Sequence, residues 1–363
     1  MITSSDKKIR VLVVDDSAFM RVALKKMMEA DPHIQVIDVA RNGQEAIEKI
    51  GKLKPDIVTM DIEMPIMNGL EALKYIMAEM PLPVIMISAL TEEGADATFQ
   101  ALDIGAVDFI PKGGKSYVNL DIVKVGEQLR QKIHAIVARD RFKRLKKFSV
   151  SPQKPVAIKP IPPRSIVTPH RPKKCSIVTL GTSTGGPLAL NQILPEIPPG
   201  IRAPILIVQH MPPTFTGPFA ARLNNLCQLP VKEAEHGDLA EPGCIYIAPG
   251  GIHMKAVMEG ISKIRIKLDP DPADLLFVPS VDQMMLSIAN NLKMDILGVI
   301  MTGMGSDGLL GMRLIHEKGG VTVAQNEESC VVYGMPKVCV DENLIDHVVD
   351  LAQIPKEIVH YIM

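Results

Sequence analysis

Residues 175–194, CSIVTLGTSTGGPLALNQIL, read as a strand, a glycine-containing turn and the beginning of a helix. The glycines of the turn allow a tight change of direction, and Pro187 suits the first turn of a helix. Ser183 therefore lies beside main-chain amides at a helix N-terminus, where negative charge is stabilised. This order of elements predicts an α/β domain with Ser183 at the reactive edge of its sheet.

Two other strand-like segments in the same half of the chain end near polar residues. ILIVQ precedes His210, and ILGVIMTGMG precedes Asp307. The loops that follow parallel strands converge at one edge of an α/β sheet. A serine, a histidine and an aspartate at that edge are suited to be a nucleophile, its base and the group that orients the base. The pattern predicts an acyl-transfer enzyme, with the amides around Met304 and Gly305 suited to bind an oxyanion.

Each of these residues alone also has a structural explanation. An aspartate that precedes a helix is more often an N-cap than a catalytic group. Spacing does not exclude three other histidines as the base, namely His236, His253 and His316. His253 follows a strand-like stretch in the glycine-rich segment YIAPGGIHM and is therefore the reserve candidate.

The turn around Ser183 also resembles a phosphate-binding loop. Its G-x-x-x-G-G spacing is a weak form of the dinucleotide fingerprint, which normally comes with an acidic residue after the second strand to bind the ribose. His210 stands at that place instead, and this favours the hydrolase. The alternative function is a phosphorylation-controlled binding module, in which this turn binds a nucleotide or a phosphate without covalent chemistry.

Composition sets broader limits on the class of protein. The 363 residues favour two domains, and 47% hydrophobic with 22% charged residues is typical of globular chains. A net charge of -1 gives no reason to expect a nucleic acid or a membrane surface as partner. We find no signal peptide and no apolar run of spanning length. Five cysteines without C-x-x-C spacing indicate reduced thiols, as expected for a cytoplasmic protein.

The first part of the chain alternates strand and helix patterns, which predicts a parallel sheet covered on both faces. Polar residues again follow the strands, namely Asp15, Asp16, Asp61, Ser88 and Lys112. Each aspartate singly is more often a helix cap, and the lysine alone could be a solvated turn residue. Three carboxylates at one edge, however, repel each other unless a hard cation such as Mg²⁺ lies among them. A neighbouring lysine is suited to contact a phosphoryl oxygen.

The clearest boundary in the sequence lies between residues 139 and 174. Twelve lysines and arginines stand there against one acid, Asp140, and the segment SPQKPVAIKPIPPRSIVTPHRP contains seven prolines. Proline at this density prevents helix formation, so we expect an extended, semi-rigid linker. An arm that docks on an acidic partner is the less favoured interpretation.

Across roughly its first 125 residues the sequence resembles the receiver domain of response regulators, through VVDDS, MDIEMP-x-MNG, ISA and D-F-x-x-K. The resemblance implies that Asp61 accepts a phosphoryl group from a histidine kinase. It also implies that Mg²⁺ is bound by Asp16, Asp61 and the main-chain carbonyl of Glu63. By the same resemblance, Ser88 and Phe109 are the switch pair and Lys112 contacts the phosphate.

From about Lys174 to Met363 the sequence resembles the catalytic domain of chemotaxis protein-glutamate methylesterases, through GTSTGGP, QHMP, APGG-x-HM and MTGMGSDG. The resemblance implies that Ser183 is the nucleophile, His210 the general base and Asp307 its partner, with the Met304 amide in the oxyanion site. It implies hydrolysis of glutamate methyl esters on chemoreceptors, with release of methanol, and deamidation of glutamines. No metal or other cofactor is expected in this domain.

The expected architecture is therefore α/β, with two doubly wound parallel-sheet domains joined by a Pro-rich linker. We divide the chain into a receiver domain (1–128), a helical extension with the basic linker (129–173) and a methylesterase domain (174–363). The expected partners are a histidine kinase and methyl-accepting chemoreceptors, without nucleic acid and without direct membrane insertion. We expect the unphosphorylated receiver to pack over the esterase cleft and phosphorylation of Asp61 to expose Ser183.

Overall fold

The computed structural model describes residues 8–112, 125–138, 174–260, 263–270 and 277–363. The greater part of the predicted basic, Pro-rich linker, residues 139–173, lies outside the described residues. Within the described part of the chain, no helix combines the length and the apolar character needed to cross a membrane.

The N-terminal domain is a five-stranded parallel sheet in the order β2-β1-β3-β4-β5. Its strands are β1 (Ile9–Val14), β2 (Ile34–Ala40), β3 (Ile57–Asp61), β4 (Val84–Ser88) and β5 (Asp108–Pro111). Its helices are α1 (Ala18–Glu29), α2 (Gly43–Leu53), α3 (Gly69–Glu79), α4 (Glu92–Ile104) and α5 (residues 125–138). The predicted alternation of strand and helix in a parallel sheet is confirmed.

Alternate residues of β1 pack on opposite faces of this sheet. Leu12 and Val14 join one apolar cluster and Val11 joins another, so both faces are covered. Helix α5 runs without a break across residue 128, and its Leu129 and Ile133 are fully buried in the same cluster as Val11. The first turn of the predicted extension is therefore part of the helical cover of the receiver sheet.

The C-terminal domain is a seven-stranded parallel sheet in the order β14-β13-β12-β6-β7-β9-β8. Its strands are β6 (Ile177–Thr182), β7 (Ile205–Gln209), β8 (Val231–Glu233), β9 (Ile245–Ile247), β12 (Ile296–Ile300), β13 (Val321–Gln325) and β14 (His347–Val349). A separate antiparallel pair consists of β10 (His253–Glu259) and β11 (Lys263–Asp269). The helices are α6 (Gly186–Ile193), α7 (Pro213–Leu226), α8 (Val281–Asn291), α9 (Leu309–Glu317), α10 (Met335–Asp341) and α11 (Ile354–Ile362). The prediction of two parallel-sheet α/β domains is confirmed.

The strand order explains why distant parts of the sequence meet. Strand β6 lies between β7 and β12, and all three run parallel. The chain leaves β6 toward one side of the sheet and later returns on the other side, so the loops after these strands border a topological switch point. Ser183, His210 and Asp307 follow β6, β7 and β12, respectively.

The two domains contact each other through aromatic side chains. Phe99 of α4 stacks on Phe219 of α7 with ring centroids 5.3 Å apart, and Phe109 of β5 stacks on Phe215 at 4.7 Å. All four rings are buried. Such pairs contribute about 0.5–1.5 kcal/mol beyond the area that they bury. The receiver therefore rests on the esterase domain through an apolar contact.

Candidate active site and acidic cleft

Ser183 lies directly after β6, with 8% of its surface exposed. Its amide donates to the carbonyl of Thr302 at 3.0 Å, and its carbonyl accepts the amide of Gly186 at 2.8 Å. Gly185 has a φ of +77°, and a Cβ there would lie 2.4 Å from the Cβ of Val331. Only glycine fits this turn without displacing a neighbour, which fixes the serine just before the first turn of α6.

The His210 imidazole lies between the other two predicted residues. Its Nδ1 is 3.1 Å from Ser183 Oγ, and its Nε2 is 2.7 Å from Asp307 Oδ2. The structure thus brings together all three side chains that the sequence placed at strand ends. In serine proteases the opposite ring nitrogen, Nε2, faces the serine. The contacts run from serine through histidine to aspartate here as well, but Nδ1 faces the serine and Nε2 faces the aspartate.

The negative charge of Asp307 is held by the beginning of helix α8. Its carboxylate accepts the hydroxyl of Ser280 at 2.8 Å and the amides of Val281 and Asp282 at 2.7 and 2.9 Å. Burial alone raises the pKa of this carboxyl, but His210 and the two amides outweigh burial and lower the pKa. Asp307 is therefore an ionised, fixed partner for the imidazole at neutral pH.

Two further residues fix His210. Phe277 stacks on the imidazole with centroids 4.2 Å apart and planes 4° apart. The side-chain amide of Gln209 donates to the carbonyls of both Ser183 and His210 at 3.0 Å. A Cβ at Gly186 would lie 1.9 Å from Gln209 Oε1, so α6 approaches this amide as closely as glycine permits. The backbones of the serine and the histidine are joined by a single buried side chain.

The remaining candidates occupy different places. Met304 lines the same cavity as Ser183 and His210, and its amide has no hydrogen-bond acceptor among the described residues. His253 is 2% exposed, and its Nδ1 accepts the amide of Ser280 at 3.1 Å. The reserve candidate thus supports the segment that caps Asp307, and His210 is the histidine that contacts Ser183 Oγ.

Receiver residues line the cavity in front of Ser183. This cavity has a volume of about 210 Å³ and is bordered from the receiver side by Asp108, Phe109 and Lys132. Lys132 of α5 forms an ion pair with Asp108 at 2.6 Å and lies 5.8 Å from the centre of the Phe109 ring. Side chains of the N-terminal domain thus border the space in front of Ser183.

The acidic cleft lies at the carboxyl edge of the receiver sheet. One carboxylate oxygen from each of Asp15, Asp16 and Asp61 lies within 4.8 Å of the others. The Lys112 ammonium is 2.6 Å from Asp61 and 3.3 Å from Asp15. Burial and the neighbouring acids raise the pKa of Asp61 to about 6, although Lys112 opposes the shift. The charge of Asp61 is thus only partly compensated by the protein.

The donor set of this cleft fits a magnesium ion. It consists of oxygen atoms from carboxylates, and Glu63 lines the cleft beside Asp16 and Asp61. Hard oxygen donors with an excess of negative charge are those that Mg²⁺ prefers. Asp15 adds a carboxylate to the set that the sequence resemblance implied.

The two residues of the predicted switch pair lie in different environments. The Ser88 hydroxyl donates to the carbonyl of Gly94 at 3.0 Å and accepts the hydroxyl of Thr98 at 2.6 Å, and Ser88 lines the acidic cleft. Phe109 is 5% exposed and packs on Phe215 of the other domain. One member of the pair therefore borders the cleft, and the other lies in the interdomain contact.

A parallel-sheet domain with clustered acids, joined to one with a Ser-His-Asp arrangement, defines a response regulator with a hydrolase output domain. Residues 11–120 match the family model described as response regulator receiver domain, and residues 178–358 match CheB methylesterase. A protein-glutamate methylesterase/protein-glutamine glutaminase of Lawsonia intracellularis is 48% identical over 96% of this chain and 98% of its own length. The chain belongs to the protein-glutamate methylesterase/protein-glutamine glutaminase family.

Other relatives match either most of this chain or its C-terminal domain. A protein of Pyrococcus abyssi with the same name is 44% identical over 97% of this chain and 93% of its own length. The crystal structure of the Thermotoga maritima CheB methylesterase catalytic domain is 40% identical, with a TM-score of 0.49, and covers 51% of this chain and 98% of that one.

Sequence reasoning missed several residues that contact the site, namely Gln209, Phe277, Ser280 and Asp282. Ser280 had a detectable signal, because Ser-x-x-Gln before an apolar helix is a capping pattern, and Ser280 Oγ accepts the amide of Gln283. That pattern predicts the start of α8 but does not indicate that the same helix end receives Asp307.

Proposed function

We propose that this chain is a phosphorylation-activated serine hydrolase that demethylates glutamate methyl esters and deamidates glutamines on chemoreceptors. The observation that carries the proposal is the chain of contacts from Ser183 through His210 to Asp307, in a cavity lined by the receiver. The names of the relatives support the choice of ester and amide substrates. Membership of their family makes the chain a carboxylic ester hydrolase.

The proposed reaction begins with attack of Ser183 Oγ on the ester carbonyl. His210 Nδ1 accepts the hydroxyl proton, while its Nε2–H keeps its hydrogen bond to Asp307. The negative charge of Asp307 stabilises the imidazolium. The amide of Met304 binds the oxyanion of the tetrahedral intermediate. The intermediate collapses, and His210 returns the proton to the methoxy oxygen, so that methanol leaves.

The second half of the reaction frees the enzyme. Water attacks the acyl-enzyme carbonyl, and His210 accepts a proton from the water. Collapse of this intermediate breaks the bond to Ser183 Oγ, which takes back the proton, and the glutamate carboxylate leaves. A glutamine amide passes through the same intermediates and releases ammonia in place of methanol. We infer that both reactions use Ser183, because its hydroxyl is the nucleophile in this chain of contacts.

In the receiver, we propose Asp61 as the phosphoryl acceptor and a histidine kinase as the donor. Asp15, Asp16, Asp61 and the main-chain carbonyl of Glu63 would hold Mg²⁺, whose charge neutralises the acids and the phosphoryl oxygens when it is bound. Lys112 contacts the phosphoryl group. The mutual repulsion of the acids and the raised pKa of Asp61 support the proposal that a cation binds here.

Regulation follows from the position of the receiver. We propose that phosphorylation draws Ser88 toward Asp61, repacks Phe109 and weakens its contact with Phe215. The cavity over Ser183 then opens to a receptor helix. The domain boundaries at residues 128 and 174 are also part of this proposal. We further propose a cytoplasmic location, because a histidine kinase needs ATP, which the cytoplasm supplies. Five free cysteines support that location.

Methanol release from methylated receptor, measured with and without a phosphodonor, tests the proposal. We expect the phosphodonor to raise the rate in the full chain and to have no effect on a chain that begins at Lys174, which should be fully active. If the truncated chain is no faster than the unphosphorylated full chain, inhibition by the receiver is rejected.

Labelling with a fluorophosphonate separates the hydrolase from a binding module. A hydrolase forms a stable adduct at Ser183, and His210→Ala should prevent the adduct without unfolding the chain. A chain that is not labelled, but is stabilised against heat by a nucleotide, would instead be a binding module.

A further inference from the structure

Two aspartates hold the beginnings of helices α8 and α9 reciprocally. Asp307, just before α9, accepts the first amides of α8. Asp282, in the first turn of α8, accepts the amide of Gly311 in α9 with Oδ1 at 2.8 Å. Each carboxylate therefore compensates the N-terminal amides and the positive dipole end of the other helix.

The two helices also pack too closely to move independently. A Cβ at Gly311 would lie 2.3 Å from the Cβ of Met285 on α8. Both helix starts are thus fixed by a close approach of the helices at Gly311 and by three crossed hydrogen bonds. The turn that carries Asp307 lies between these constraints, one turn before Gly311.

The charge of Asp282 works against stability. Burial raises the pKa of this carboxyl to about 6, and the charge of Asp307 adds to the shift, although the amides of Gly311, Gly308 and Leu310 oppose it. A half-buried acid beside another acid is unfavourable for folding, and such groups concentrate at functional sites. A neutral capping residue would satisfy the same amide with less electrostatic repulsion.

We propose that Asp282 is a positioning residue for the esterase reaction, which fixes the start of α9 so that Asp307 stays in contact with His210. Its carboxylate acts through Gly311 and the turn before it. This inference rests on the proposed function of Ser183, His210 and Asp307.

The test compares Asp282→Ala, Asp282→Asn and the control Asp346→Ala in the full, phosphorylated chain. Asp346 also accepts a main-chain amide and a hydroxyl, both from Thr322 at 2.9 Å, but it lies beside β14 at the sheet edge. Circular dichroism and urea unfolding verify that each variant is folded, and methanol release per folded chain gives kcat and KM.

We expect Asp282→Ala to lower kcat per active site roughly 100-fold, because a small misplacement of a catalytic group has an effect of this size. KM should change little, since Asp282 acts on the His-Asp pair. Asp282→Asn keeps an acceptor for Gly311 and should restore most of kcat, while Asp346→Ala should match the unaltered chain.

Two results would overturn the inference. One is a folded Asp282→Ala chain with normal kcat, because the role of Asp282 would then be confined to folding. The other is an Asp282→Asn chain as slow as Asp282→Ala, because the hydrogen bond to Gly311 would not be the cause. A failure of the unaltered chain to label at Ser183 would reject the proposed function itself, which is a distinct outcome.

Discussion

Asp61 and Asp307 stand at equivalent places in two similar sheets but have opposite electrostatics. Asp61 is buried and the Asp307 side chain is only 10% exposed, and both lie at the carboxyl edge of a parallel sheet. The pKa of Asp61 is raised to about 6 by burial and by neighbouring acids, and that of Asp307 is lowered because His210 and two amides outweigh burial. Burial acts alike on both, so the hydrogen-bond donors around each carboxyl decide the sign.

The difference between the two pKa values matches the electrostatic requirement of each site. The charge of Asp307 is compensated within the fold, because two amides at the beginning of α8 donate to its carboxylate. The Asp61 site has one lysine for three acids and so remains short of positive charge until a cation enters. A fixed charge suits a permanent orienting role, and an uncompensated charge suits a site that is switched by a ligand.

The largest expected effect separates the two sites completely. Ser183→Ala should lower phosphodonor-stimulated methanol release by about 10⁶-fold, because nucleophile, base and orienter act as a unit. Acceptance of a phosphoryl group by Asp61, measured with a radioactive phosphodonor, should be unchanged. Substantial esterase activity in this variant would show that Ser183 is not the nucleophile.

Asp307→Asn removes the negative charge at this site but keeps the shape of the side chain. An amide at this position favours the wrong imidazole tautomer, and we expect kcat to fall about 10⁴-fold. Asp350→Asn is the matched control, because Asp350 accepts the amide of Ala352 in an exposed cap where asparagine serves equally well. A loss of less than tenfold in Asp307→Asn would mean that His210 does not depend on this carboxylate.

The same substitution should change stability in opposite directions at the two sites. The folded chain binds a proton at Asp61 more tightly than the unfolded chain, so ionisation destabilises the fold as pH rises from about 4 to about 6. Asp61→Asn should therefore raise the free energy of unfolding at pH 7 by about 1–3 kcal/mol in metal-free buffer, and by much less at pH 4.

Asp307 has a lowered pKa, so its charge stabilises the fold above the unfolded pKa, and this contribution is lost as pH falls through the folded pKa. Asp307→Asn should lower the free energy of unfolding at pH 7 by about 1–3 kcal/mol. Urea unfolding of both variants at the two pH values measures the comparison. Shifts of the same sign would show that the surrounding donors do not distinguish the sites.

The residues at strand ends could be predicted because the sequence places them directly after apolar runs. Ser183 directly follows β6 and His210 directly follows β7, whereas Asp307 lies in the glycine-containing loop after β12, and strand order brings all three to one edge. Asp282 could not be predicted in this way, since its contact with Gly311 depends on how α8 and α9 cross; the sequence likewise does not indicate that Phe277 stacks on His210. No local periodicity encodes such a crossing.

The details of the contact between the domains could not be predicted from the sequence either. The fusion of a receiver to a hydrolase suggested inhibition, but the sequence does not indicate that Phe109 faces Phe215. Both phenylalanines fit an ordinary core pattern within their own domains. Their pairing depends on the relative placement of two sheets that are far apart in the sequence.

The smallest expected effect concerns the rim of that contact. Arg222 of α7 pairs with Asp103 of α4, and both side chains are partly exposed. An ion pair of this kind contributes about 0.2–1 kcal/mol, so Arg222→Ala should raise the methanol release of the unphosphorylated chain about 1.5- to 5-fold. The rate after phosphorylation should stay the same, because the interface is then already weakened.

The control is Arg313→Ala, which removes a similarly exposed pair with Glu342 inside the esterase domain. It should leave both rates unchanged. Exchange of the two charges, Arg222→Asp with Asp103→Arg, should bring the unphosphorylated rate back toward that of the unaltered chain, because opposite charges face each other again. If Arg222→Ala and Arg313→Ala behave alike, this rim pair does not contribute to inhibition, and the aromatic contacts between the domains become the leading candidates to maintain it.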